Sequence, residues 1–206
     1  MHIGAAIGAY CPMTALTFNM HTQTVLWTGV AADDLDMPDA DRAVHEARRT
    51  ELYRRIIEDK ALQSQPLSEG IAQGATRGFA TTAERVDGGY RVNGRKIFAS
   101  LSGAATDYNI TCVETSEDEI LFLAISADDP GVEIVGDWDP LGMRGTVSRT
   151  LLMKDVFVPH RNEWMPVGTY NQAALRYPWM FLSLTPSYLG LTKGVLDTAG
   201  MYLRGE

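Results

Sequence analysis

GGYRVNGRKIFAS, residues 88–100, decides the fold class. Asn93 and Gly94 stand between two four-residue runs, 89–92 and 95–98. Both residue types accept the positive φ that a two-residue type I′ turn needs, so the pattern predicts a β-hairpin closing at Asn93-Gly94. Tyr90 and Val92 fall on the opposite phase from Arg91, and Ile97 on the opposite phase from Lys96. The hairpin is therefore expected to carry one apolar and one polar face.

Outward from it, the period of the sequence is two between about residues 76 and 159. β-rich runs occur at 79–86, 90–98, 108–114, 120–126, 132–138 and 148–158, with turn signals at 128–131 and 142–145. Such spacing reads as a small antiparallel sandwich or barrel. Helical signals flank it. Residues 12–30 read as a largely buried helix. A second helix is expected to start with Pro38 as its first residue and to run to about Lys60, with Asp39 and Asp41 where the N-terminal dipole favours acids. After a loop containing Tyr177-Pro178, Thr185 is the expected N-cap, Pro186 the first residue and Gly205 the stop of a last helix. Gly190 and Gly194 lie one turn apart on that helix, which predicts close packing against another backbone.

Of 206 residues 45% are hydrophobic and 21% charged, ordinary usage for a chain that buries a core. The formal net charge of −8, with no Lys/Arg run longer than the pairs 48–49 and 54–55, argues against nucleic acid as a partner. Cys11 and Cys112 form neither a disulfide framework nor a CxxC site, and the expected location is the cytoplasm. No membrane span is expected, because the most apolar stretch, 179–184, is short and closed by Pro186. His2, His21, His45 and His160 show no metal-ligand spacing, so no metal site is expected and all four read as helix-surface or loop residues.

Five further blocks keep a fixed order around the opening stretch: PLSEGIAQGATRG (66–78), FATTAERV (79–86), GVEIV (131–135), LGMRG (141–145) and LLMKDVFVP (151–159). Taken together, residues 66 to about 164 resemble the acyl-CoA dehydrogenase family. The resemblance implies an α+β fold in which helices flank a central antiparallel β-barrel or sandwich. It divides the chain into a partial N-terminal helical domain (1–64), a flavin-contacting β-domain (65–165) and the start of a C-terminal helical domain (166–206), so that the chain reads as the middle of a larger protein. The implied cofactor is FAD. Phe98 would pack beside the flavin ring and Ser100 would place a hydroxyl near its reactive nitrogen, with Ala99 between them. Ser68, with the backbone of Pro66 and Leu67, would meet the pyrimidine end.

Gly74 stands where the family has a serine near the acyl thioester, and proline and aspartate of the same motif are also replaced, which points to a divergent substrate. The family's carboxylate base comes from its C-terminal helices, and no acid here matches it; Glu69 reads as structural, Arg144 as a solvated turn residue, and no catalytic residue is assigned. The function implied is oxidation of an acyl-CoA thioester in fatty acid or lipid metabolism, with an electron-transfer acceptor as partner and a homo-oligomer as the assembly. A single chain of this kind is expected to be inactive. A flavin monooxygenase on the same fold, or a non-catalytic partner chain, are the alternatives.

Overall fold

A computed structural model describes residues 2–31, 33–70, 78–178 and 182–206. Helix α1 (His2–Gly8) leads into α2 (Pro12–Leu26), which has proline in its first turn and widens into a π turn, Trp27–Ala31. α3 (Asp39–Ile57) carries Asp39 and Asp41 in its first turn and Arg54 and Arg55 in its last, charges that oppose the helix dipole at each end. Pro38 is its N-cap residue, one position earlier than expected. Strands follow: β1 (Gln63–Ser64), β2 (Thr82–Val86), β3 (Gly89–Ala99), β4 (Asp107–Glu114), β5 (Glu119–Ser126), β6 (Val132–Val135) and β7 (Arg149–Pro159). The chain closes with α4 (Thr169–Arg176) and α5 (Thr185–Arg204), the latter capped by Gly205 at φ 73°. The short helices α1 and α4 have no counterpart in the sequence reading. Leu184, not Thr185, occupies the N-cap of α5. No described helix is long and apolar enough to cross a membrane.

The strands form one sheet in the order β1-β4-β2-β3-β7-β6, with β5 on β4. β5 pairs antiparallel with the full length of β4, so β1 and β2 share its other edge, both parallel to it. The remaining pairings are antiparallel. Alternate residues of β5 feed two cores. Leu121, Leu123 and Ile125 join Tyr90, Val92, Ile110 and Val156 inside the sheet, while Phe122 and Ala124 pack with Trp27, Leu52, Trp164 and Tyr170 beneath the helices. A buried polar network links helices to sheet. Arg55 of α3 grips Asp107 of β4 at 2.8 and 2.9 Å, and Asn109 accepts the Trp164 indole N–H while donating to Gln63 and to the Ser64 carbonyl. His45 is 1% exposed within this helical layer, contrary to its reading as a surface residue, and burial lowers its pKa below the ordinary histidine value.

The hairpin expected at Asn93-Gly94 does not form there. Asp87 and Gly88 make the two-residue turn instead, with Gly88 at φ 78° and Val86 paired to Gly89, and β3 runs unbroken through Asn93-Gly94. The pair has a different use. Opposite Asn93, β7 carries one extra residue, Asp155 at φ 53°, and the Asn93 side chain accepts that residue's N–H at 2.8 Å. Gly94 lets Thr81 approach so closely that a Cβ there would lie 2.5 Å from its hydroxyl. Two neighbours restrict the flanking strands: β2 starts at Thr82 because the N–H groups of Ala80 and Thr81 turn to Glu69, and β6 ends at Val135, before Gly136 at φ 75°.

Close helix packing is found where expected. A Cβ on Gly190 would sit 2.1 Å from the Ala5 carbonyl oxygen of α1, whereas on Gly200 it would meet only the flexible end of Arg204 at 3.2 Å. Alanine favours a helix by about 1 kcal/mol over glycine, so Gly200→Ala should raise the melting temperature. Gly190→Ala should lower it, because separating α1 from α5 outweighs that gain. Equal shifts of the same sign would contradict this packing.

Candidate functional site

A cavity of about 510 Å³ opens between the sheet and the helices, a size ordinary for a small-molecule site. Its walls come from α2 (Leu16, Met20), the segment before β2 (Leu67, Ser68), the end of β3 (Phe98, Ser100), the loop before β7 (Trp138, Met143) and the N-cap and first turn of α5 (Leu184, Tyr188). A second bulge aims Phe98 at this space. Lys96 pairs with Leu151 but Ala99 with Arg149, so β3 carries an extra residue there, and Phe98 at φ 56° is turned out of the sheet. It stays 54% exposed and meets Trp138 edge-to-face at 6.0 Å, with the rings at 89°. Trp138 is held in turn by an indole N–H bond to the Met143 carbonyl at 3.1 Å.

The wall carrying Leu67 and Ser68 is pinned by a buried ion pair. Lys96 is 0% exposed and places its ammonium 2.5 Å from Glu69, 3.4 Å from the Leu67 carbonyl and 4.9 Å above the Phe79 ring. Burial alone would raise the Glu69 pKa, but Lys96 and the N–H groups of Ala80 and Thr81 outweigh it and hold the carboxyl below the ordinary range. The Ile97 N–H adds a bond to the Ser68 carbonyl at 2.7 Å. Lys96 thus belongs to the buried face of β3, not to the polar face the alternation assigned it.

Three hydroxyls run in a line along the opposite wall. Ser100 Oγ lies 2.8 Å from Ser148 Oγ, Ser148 Oγ lies 2.7 Å from Thr146 Oγ1, and Thr146 Oγ1 donates to the Met143 carbonyl at 2.9 Å. The Ser100 carbonyl accepts the Ser64 hydroxyl at 2.5 Å, which fixes its backbone. Thr146 sits in a one-turn 3-10 helix, Arg144–Thr146, flanked by Met143 at φ 60° and Val147 at φ 44°, left-handed conformations that non-glycine residues adopt at a cost. Arg144 itself turns away to Asp139 at 3.0 Å and to the Pro140 carbonyl, as expected of a solvated turn residue.

Residues 67–156 match the family model described as acyl-CoA dehydrogenase, middle domain. This segment belongs to the acyl-CoA dehydrogenase family. Isovaleryl-CoA dehydrogenase of Oryza sativa subsp. japonica is 27% identical over 164 residues, 77% of this chain and 40% of that protein. Isobutylamine N-hydroxylase of Streptomyces viridifaciens is 24% identical over 205 residues, 96% of this chain and 52% of that protein. Among solved structures, FMN-bound TdsC of Paenibacillus sp. A11-2 superposes with a TM-score of 0.80 at 25% identity, over 98% of this chain and 50% of TdsC. The chain spans about half the length, or less, of the curated relatives it matches.

Within this acyl-CoA dehydrogenase fold, four of the residues singled out from sequence, Leu67, Ser68, Phe98 and Ser100, line the one cavity. Two others do not. Ala99 packs its side chain into the sheet core at 0% exposure, and Pro66 is buried outside the lining. Gly74 lies outside the described residues. Sequence reasoning missed Met20, Trp138, Met143, Thr146 and Ser148. For the last two a signal exists, since the TVS segment, 146–148, directly follows the LGMRG turn. Glu69, read as structural from the sequence, is engaged by Lys96, and the buried Asp107 is engaged by Arg55.

Proposed function

We propose that this chain supplies the flavin-contacting part of a flavin-dependent oxidoreductase, and that the chemistry is monooxygenation of a small nitrogen- or sulfur-bearing or aromatic substrate. The convergence of Leu67, Ser68, Phe98 and Ser100 on one cavity carries the flavin reading. An isoalloxazine ring needs flat apolar walls with short hydroxyl or amide groups at its polar edge. The residues fit: Phe98, Trp138, Leu67 and Met20 are the walls, Ser68 and Ser100 the hydroxyls, and Gln65 at the same wall has a buried amide without a protein partner. A bound flavin supplies electron transfer and, when reduced, reactivity toward oxygen. The chain's own residues orient it, exclude water and hold a hydrogen bond at Ser100.

Monooxygenation is favoured because isobutylamine N-hydroxylase matches 96% of the chain in sequence, against 77% for isovaleryl-CoA dehydrogenase, and TdsC, a dibenzothiophene monooxygenase, shares the fold. Acyl-CoA oxidation with FAD is the second reading, favoured by the isovaleryl-CoA dehydrogenase match, and would require a carboxylate base and an electron-transfer acceptor. Under either reading the chain divides at residues 64/65 and 165/166, and assembly with further copies completes the site.

The test supplies the protein with enzymatically reduced FMN under air and a panel of amines, thiophenes and indoles, then searches for hydroxylated product. A parallel assay offers acyl-CoA thioesters with FAD and an acceptor dye. Oxygenated product alone is the expected result. Dye reduction by an acyl-CoA instead would establish the second reading, and failure to bind any flavin would end both.

A further inference from the structure

Gln65 is 5% exposed and lines the cavity, yet neither its amide oxygen nor its amide nitrogen meets a partner among the described residues. The backbone leading to it is anchored on three sides. The Gln63 N–H bonds the His21 ring of α2 at 3.2 Å, the Ser64 hydroxyl bonds the Ser100 carbonyl, and the Asn109 amide holds the Ser64 carbonyl at 2.8 Å. The carboxamide is thus held between α2 and the end of β3. Burying it unpaired forfeits the hydrogen bonds it makes to water in the unfolded chain, a loss that a matching ligand recovers.

The wall narrows the chemistry of that ligand. Among the described residues lining the cavity there is no Asp, Glu, Lys, Arg or His, so a charged group would be stripped of water there without a counter-charge. A carboxamide offers an acceptor oxygen beside donor hydrogens, and a neutral group presenting an N–H beside a carbonyl matches both. Ser68 and Ser100 suffice for the polar edge of a flavin, which leaves the amide to the second ligand. We propose that Gln65 is a specificity-determining residue that selects an uncharged aromatic substrate with an N–H or cyclic-amide edge over a thiophene or a protonated amine of similar size. The inference rests on the flavin reading above and names the substrate of the same site. A site built to hydrogen-bond its substrate rejects the analogue that lacks the group, because its own buried polar atoms are then left unpaired.

Equilibrium binding of three bicyclic probes to the FMN-loaded protein tests this. Quinolinone presents an N–H and a carbonyl, indole an N–H alone, and benzothiophene neither. A matched hydrogen bond is worth about tenfold at its upper end, so affinity should fall by up to about tenfold at each step from quinolinone to indole to benzothiophene. Gln65→Leu, which removes the amide and keeps an apolar side chain of similar size, should level or reverse that order while leaving FMN affinity unchanged. If the variant weakens FMN and all three probes alike, the amide serves the flavin or the fold and the proposal fails. Wild-type protein that binds benzothiophene as tightly as quinolinone, or that holds FMN but none of the probes, overturns it whether or not the variant folds. Failure of the wild type to bind FMN would overturn the flavin reading itself, an outcome distinct from FMN bound with the wrong order of probes.

Discussion

Glu69→Ala is expected to destabilise the protein by about 3–5 kcal/mol, because it leaves the Lys96 ammonium buried without its counter-charge. That loss is a large share of the roughly 5–15 kcal/mol that holds a typical domain together, so urea denaturation should show a much lower midpoint with little change in slope. Replacing both partners by apolar residues, Glu69→Leu with Lys96→Met, should recover most of it. The pH dependence has a definite sign. Glu69 is held below its ordinary value in the folded protein, so its contribution is present above the unfolded-state value of about 4.3 and disappears as the pH falls through the folded value. The gap between wild type and Glu69→Ala should therefore be constant from neutral pH to about 5 and close only in more acid solution. A variant as stable as wild type at pH 7 would show that the pair does not hold the Leu67–Ser68 wall.

Phe98→Ala is expected to weaken flavin binding by roughly tenfold to a hundredfold while leaving stability nearly unchanged. Both parts follow from the β3 bulge. Phe98 is 54% exposed and touches Trp138 rather than the sheet core, so its removal opens no core cavity. Stacking of an aromatic side chain on a flat heteroaromatic ring is worth about 1–3 kcal/mol by alanine substitution. Flavin fluorescence titration with parallel thermal melts checks the pair of outcomes. An unchanged affinity would remove Phe98 from the site, and a large fall in melting temperature would mean that the residue belongs to the core.

Strand placement was legible in the sequence because alternation reports which side of a sheet is buried, and β3, β4, β5 and β7 stand within a residue or so of the expected runs. The turn at Asn93-Gly94 was not. Asn-Gly satisfies a local rule, but the same amide oxygen can serve a neighbouring strand, and only the extra residue in β7 reveals that use. Lys96 misleads for a related reason, since a lysine in a half-polar strand reads as solvated until its acid, 27 residues earlier, is brought beside it. Family resemblance carried Leu67, Ser68, Phe98 and Ser100 to the cavity, while Trp138 and Met20 reach it from segments whose sequence has no mark beyond hydrophobicity. Bulges at Asp155 and Phe98 depend on register with a partner strand, which no single strand encodes.

The most direct test of the flavin site uses the methionines as reporters. Met20 and Met143 line the cavity, whereas Met153 lies in the sheet core and Met165 beneath the helices. In protein labelled at the methionine methyl groups, added FMN should shift and broaden the Met20 and Met143 resonances saturably, and Phe98→Ala should raise the concentration required. Met153 and Met165 should stay in place. Saturable shifts confined to Met153 and Met165, or no shift at any methionine at millimolar FMN, would contradict a flavin site between the β3 bulge and α2.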